Sequence, residues 1–147
     1  MFTISEIAVG GGLLGLCPLP QAADVPALCD WRAGLVLTLV EQAEIAALSP
    51  DLVATLAGAG LKQKQFPIAD YAVPTGDWPS LSAKLHAALG QGARIIIHCR
   101  GGCGRTGMIA LRLMIEAGEA PQAALARLRL VRPCAVETEA QGAWAGL

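Results

Sequence analysis

The chain has 147 residues, of which 54% are hydrophobic and 16% charged, with a formal net charge of −1. That length suits one domain, residues 1–147, with a core that needs no staples, and the composition excludes a disordered chain. No basic face or tail offers general affinity for nucleic acid or an anionic membrane, so any anion site must be local.

Taken in chain order, TISEIAVGGGLLGLCPLP (3–20) reads as two short strands about a Gly-Gly-Gly turn, ending at prolines. Glu6 and the lack of a basic start make it a poor signal peptide, and no run of 18 apolar residues exists to span a bilayer. Residues 22–31 are a connection or short helix. GLVLTLV (34–40) is a buried strand, and 41–50 and 51–60 are two short helices stopped by Pro50 and by Gly58 and Gly60. LKQKQFPI (61–68) reads as an edge strand, because its lysines and Pro67 discourage pairing. Residues 69–80 form a loop. SLSAKLHAALGQG (80–92) is a helix with a serine cap, ARIIIHC (93–99) a buried strand, and helices follow over 106–118, 120–133 and the last dozen residues. Strands alternating with helices predict an α/β fold: a mostly parallel central sheet flanked by helices, with ligands beyond the carboxyl ends of the strands.

Residues 98–106, HCRGGCGRT, fall at such an end. A helix N-terminus offers unpaired N–H groups and the positive end of a dipole. Gly101, Gly102 and Gly104 let successive N–H groups face one concavity, with Arg100 and Cys103 completing the loop. Arg105 presents a planar fork that matches two oxygens of a tetrahedral anion. Cys99 lies at the floor, where positive surroundings favour the thiolate, a nucleophile aimed at a bound phosphorus. Thr106 is placed to hydrogen-bond the sulfur. His98, adjacent in a strand, points away and supports the loop backbone. Cysteines at 17, 29, 99, 103 and 134 are odd in number and read as thiols in a reducing compartment; no pair has zinc-site spacing, and neither metal nor cofactor is implied. A soluble cytoplasmic protein, monomeric, is the expectation.

The run His98-Cys99-x5-Arg105-Thr106 resembles the protein tyrosine phosphatase signature HCx5R(S/T), and HCRGGCGRTG is similar to the compact dual-specificity enzymes of the cyclin-dependent kinase inhibitor 3 type. FPIADYAVP (66–74) resembles that group's general-acid segment, and RPCAVETEAQ (132–141) its RPxaveTxxQ element. The likeness runs from the strand at 35–40 to Gln141. It implies a metal-independent phosphatase that acts on phosphorylated proteins or small phosphate esters through a phosphocysteine on Cys99. Asp70 would be the general acid, with Asp77 in reserve, and Gln141 would position water. Ala69 stands where the group often has proline, and nothing matches the phosphotyrosine-recognition loop of the large enzymes, so a deep tyrosine-only pocket is not implied.

Two alternatives stay open on the residues alone: a phosphate-reading module with little catalysis, and a sulfurtransferase or arsenate reductase on a related loop. Cys103 and Cys134 suggest a further chemistry, trapping of an oxidised Cys99 as a disulfide. Trp78, beside the acid loop, is the tryptophan expected to line the cleft, and His86 is expected at the surface.

Overall fold

The computed structural model describes residues 1–147. Its sheet has five strands: β1 (Ser5–Val9), β2 (Gly12–Cys17), β3 (Leu35–Thr38), β4 (Gln63–Gln65) and β5 (Arg94–His98), in the order β1-β2-β5-β3-β4. Only β1 is antiparallel; β5 runs parallel to β2 on one side and to β3 on the other. The central strand therefore ends next to Cys99. Ile95, Ile96 and Ile97 are all fully buried. Successive strand residues face opposite ways, so both faces of the sheet at β5 are covered, which is what an uninterrupted apolar run requires. β4 is the outer strand, and its exposed Lys64 discourages pairing with another chain.

Seven helices complete the fold: α1 (Val25–Asp30, entered by a 3-10 turn), α2 (Gln42–Leu48), α3 (Leu52–Gly58), α4 (Trp78–Gly90), α5 (Gly104–Glu116), α6 (Pro121–Val131) and α7 (Glu139–Ala145). α5 packs against α6, α7, β2 and β5, and α6 reaches β1.

Several expected boundaries move, and the edge strand expected over 61–68 shortens to Gln63–Gln65. α4 begins at Trp78, not Ser80, because Asp77 accepts a hydrogen bond from the Ser80 N–H and Pro79 is tolerated in the first turn. α5 begins at Gly104, two residues before the expected start. Its first turn makes no internal N–H bonds, so loop residues can join it at little cost. Trp78 does not line the cleft. It is 4% exposed, packs on Phe66 and Trp144, and donates its indole N–H to Glu116. Glu116 also accepts from Ser82, Arg112 and His86, so His86 lies partly exposed at the surface, as expected, and is tied down there. Burial opposes the Glu116 charge, yet these four donors hold its pKa down to about 2. The hub joins the end of the acid loop to α5, while Arg112 lies over the Trp144 ring and bonds the Trp144 carbonyl.

Candidate active site

β5 ends at His98, and the chain turns through residues 99–103 into α5. Every carbonyl of that turn is engaged from outside it. Cys99 O lies 3.3 Å from His98 Nδ1, and Arg100 O accepts from the Leu19 N–H at 3.0 Å. Gly101 O and Gly102 O accept from Arg132 at 3.0 and 2.9 Å. Cys103 O accepts from the N–H groups of Gly107 and Val136. By contrast, the N–H groups of residues 100–105 donate to no atom of the protein. In a planar trans peptide the C=O and the next N–H point opposite ways. Carbonyls turned outward therefore turn the N–H groups inward, and the loop is a ring of donors at the N-terminus of a 13-residue helix.

Close packing fixes the path. Gly102 has φ +71°, and a Cβ there would lie 2.5 Å from the backbone carbon and oxygen of Cys17. A Cβ on Gly107 would lie 2.5 Å from the Val136 nitrogen, which lets α5 start hard against the 132–136 segment.

Cys99 is 3% exposed at the floor. His98 is fully buried, and burial, helped by Arg105 and partly opposed by the bond to the Cys99 carbonyl, pushes its pKa down to about 4. The ring is thus neutral near pH 7. Its Nε2 lies 2.8 Å from the Thr38 hydroxyl, which already accepts from Gln63 Nε2 at 2.8 Å. That hydroxyl donates its own hydrogen to Nε2, leaving Nδ1–H for the Cys99 carbonyl. A relay from β4 through β3 to β5 holds the Cys99 backbone, and Thr38 and Gln63 carried no sequence signal for this role.

Arg105 is 1% exposed in its side chain. Its two terminal nitrogens meet both oxygens of Glu44, on α2, at 2.7 and 3.0 Å; one also bonds the Ile68 carbonyl at 2.9 Å. Bonding by Arg105 holds the Glu44 carboxyl below its usual range. Burial works against the guanidinium, but Glu44, Cys99 and Asp70 together raise its pKa above the ordinary value. The sequence reading missed Glu44, which looks like any acidic residue in the first turn of a short helix. The chain's two buried side-chain polar atoms without a partner are Arg105 Nε and Thr106 Oγ1. The Thr106 hydroxyl does not bond the Cys99 sulfur in this structure.

Asp70 stands 3.3 Å from Arg105 Nη2, half-exposed on the loop before α4. The next residue, Tyr71, has φ +61° and is exposed. Asp77 is occupied elsewhere as the cap of α4 and lines a separate cavity with Lys64 and Lys84, which removes it as an alternative acid. Gln141 is fully buried. Its Oε1 accepts from the Glu137 and Thr138 N–H groups, and Nε2 lies 3.4 Å from the Ala72 carbonyl on the acid loop. It pins that loop to the start of α7. Asp70, Tyr71, Arg100, Gly101, Cys103 and Glu137 line a mouth of about 270 Å³ above the ring.

The expectation for two of the cysteines is overturned. Cys103 and Cys134 are not free thiols: they form a disulfide, with Cα atoms 5.1 Å apart across a sequence separation of 31. The fold brings the 132–136 segment against the loop at bridging distance, which spacing in the sequence does not reveal. In this state neither is available to trap an oxidised Cys99. Cys17, Cys29 and Cys99 remain thiols, with burial pushing Cys17 up to about 12.

A strand end, a ring of inward N–H groups, a buried cysteine and a clamped arginine form a site with the geometry to hold an oxyanion. The family model described as the Swiss Army Knife protein, DSP-PTPase phosphatase domain, matches residues 12–144. The chain belongs to this dual-specificity protein tyrosine phosphatase family. The match starts well before the strand at 35–40 and takes in β2, while β1 lies outside it. No curated protein sequence matches significantly. Among solved structures, kinase associated phosphatase, with serine at its catalytic-site cysteine, is 23% identical with a TM-score of 0.88 over 99% of this chain and 92% of that one. Tk-PTP in its active form is 25% identical, with a TM-score of 0.79 over 95% and 92%. PTPMT1 in complex with PI(5)P is 19% identical, with a TM-score of 0.74 over 96% and 92%. The phosphatase thus shares its whole fold with these enzymes.

Proposed function

We propose that the phosphatase hydrolyses phosphotyrosine and phosphoserine or phosphothreonine in proteins through a phosphocysteine intermediate on Cys99. The observation that carries this reading is the pairing of satisfied outward carbonyls with unpaired inward N–H groups from Arg100 to Arg105, to which Arg105 Nε adds one more unpaired donor. A phosphoryl group is the tetrahedral anion such a ring matches, and donors fixed before the reaction need no reorganisation as charge builds on the equatorial oxygens.

The Cys99 thiolate attacks phosphorus in line, forming the S–P bond as the P–O bond to the leaving group breaks. Asp70 supplies the proton to the departing oxygen. Its contact with Arg105 keeps it at the mouth until substrate enters. Water then attacks the phosphocysteine, Asp70 takes its proton, and inorganic phosphate and the thiolate are released. The Thr106 hydroxyl, unpartnered beneath the loop, bonds the leaving sulfur. Gln141 acts mainly through the acid loop it holds at Ala72.

The mouth supports a protein substrate over a polyphosphorylated one. Two carboxylates, Asp70 and Glu137, share it with one exposed arginine, Arg100. A second or third phosphate on a ring would meet like charge there. Exposed Tyr71 offers a flat surface for a peptide or an aromatic leaving group. The test is a panel of phosphotyrosine, phosphoserine and phosphothreonine peptides beside PI(5)P. Higher kcat/KM on the peptides is expected; higher kcat/KM on the lipid headgroup would overturn the assignment.

A further inference from the structure

We propose that Arg132 is a positioning residue for catalysis, holding two of the inward N–H groups of the phosphate ring from outside it. The inference rests on the reading of residues 99–105 as an oxyanion ring. Within that ring the five carbonyls are not held alike. Those of Cys99, Arg100 and Cys103 are tied by the adjacent His98 side chain or by backbone N–H groups. Those of Gly101 and Gly102 are tied by one side chain: Arg132 Nη2 donates to Gly101 O at 3.0 Å and Nε to Gly102 O at 2.9 Å.

These are the two peptide units in greatest need of a tether. They follow Gly101 and Gly102, and glycine permits either face of a peptide to turn inward with little steric cost. Holding the Gly101 carbonyl outward points the Gly102 N–H inward; holding the Gly102 carbonyl outward does the same for the Cys103 N–H. If either unit turned, a donor would be replaced by a carbonyl oxygen facing the phosphate, a reversal of sign at the reacting centre. The guanidinium meets both oxygens with its edge, a match a single ammonium cannot make.

Arg132 is itself fixed. Its third nitrogen lies 3.3 Å from the Ser5 hydroxyl on β1. A Cβ on Gly102 would come within 2.6 Å of Arg132 Nη2, so the guanidinium lies directly against the loop. The segment it introduces is secured at two further points, the Val136 N–H on Cys103 O and the disulfide from Cys134 to Cys103. Val136 holds a φ of +67°, a conformation a β-branched residue adopts only when its surroundings impose it. The arginine of the RPCAVETEAQ stretch thus acts through the loop and touches no substrate.

The experiment compares wild type with Arg132→Met and Arg132→Lys. Tungstate binding is measured by calorimetry, kcat and KM with p-nitrophenyl phosphate, and folding by circular dichroism and Tm. Arg132→Met is expected to weaken tungstate binding and raise KM together by about tenfold or more, corresponding to about 1.4 kcal/mol per tenfold. Arg132→Lys should recover part of both, since lysine can serve one carbonyl at a time. Folded Arg132→Met with tungstate affinity and KM within about twofold of wild type would overturn the proposal. Should Arg132→Met fail to fold, Arg132→Lys decides on the same readouts, and wild-type values there overturn it. Tungstate binding is independent of turnover, so a wild-type protein that binds the oxyanion without hydrolysing ester refutes the proposed reaction while leaving the role of Arg132 to be judged.

Discussion

His98→Asn is expected to flatten the acid side of the phosphatase's stability curve. The imidazole is fully buried between the Thr38 hydroxyl and the Cys99 carbonyl, and its pKa falls from 6.5 to about 4 on folding. Between those values the unfolded chain binds a proton that the native chain refuses. Stability therefore rises with pH across the window and is lost as pH falls toward 4. At 1.36 kcal/mol per unit, the loss between about pH 7 and about pH 4.5 amounts to about 2–3 kcal/mol from this one residue. Asparagine can donate to the Cys99 carbonyl but does not titrate. Glu116 and Glu44 are held low by their donors, so they lose stabilising charge mainly below the usual carboxylate range, and both proteins contain them. Urea unfolding of wild type and variant across this pH range gives the difference directly. The gap between the two should change by about 2–3 kcal/mol in favour of the variant as pH falls. Parallel curves would refute the argument that the ring is neutral because it is buried.

Two further outcomes follow from the same geometry. Glu44→Gln leaves Arg105 without its bidentate partner, and charge-assisted bonds of this kind contribute about 1.5–3 kcal/mol each. A fall of about tenfold or more in kcat/KM is expected, seen chiefly in kcat; an unchanged kcat would mean that Glu44 only balances charge. For the disulfide, unfolded but unreduced protein should titrate as three thiols, Cys17, Cys29 and Cys99, and reduced protein as five. Closing a loop of 31 residues contributes about 3–4 kcal/mol by chain entropy, so Cys103→Ser with Cys134→Ser should lower Tm by roughly 10 °C. Five thiols before reduction would contradict the bond.

Sequence and structure agree most closely where chemistry depends on neighbours along the chain. Three isoleucines, a cysteine and a glycine-rich turn identify a buried central strand that ends in an anion loop, because strand burial and loop conformation are local properties. Partners from distant elements were not legible. Glu44 reaches Arg105 across 61 residues, Arg132 reaches Gly102 across 30, and Cys134 reaches Cys103 across 31. No spacing rule encodes those distances. Gln141 is a residue on which two signals overlap. Thr138-x-x-Gln141 is also the spacing of a helix capping box, and the side chains of both residues satisfy N–H groups at the start of α7. The family likeness drew attention to catalysis, while the local rule already accounted for most of the residue's polar atoms. Trp78 misled for a related reason: proximity to the acid loop in sequence said nothing of the Phe66 and Trp144 rings that receive it.

The central claim is that Cys99 is the nucleophile of a metal-independent phosphatase. Hydrolysis of p-nitrophenyl phosphate with EDTA present, wild type beside Cys99→Ser, tests it most directly. Turnover by wild type that vanishes in a folded variant which still binds tungstate is the predicted result. Equal turnover by the two proteins, or none by folded and active-site-reduced wild type, would contradict the account.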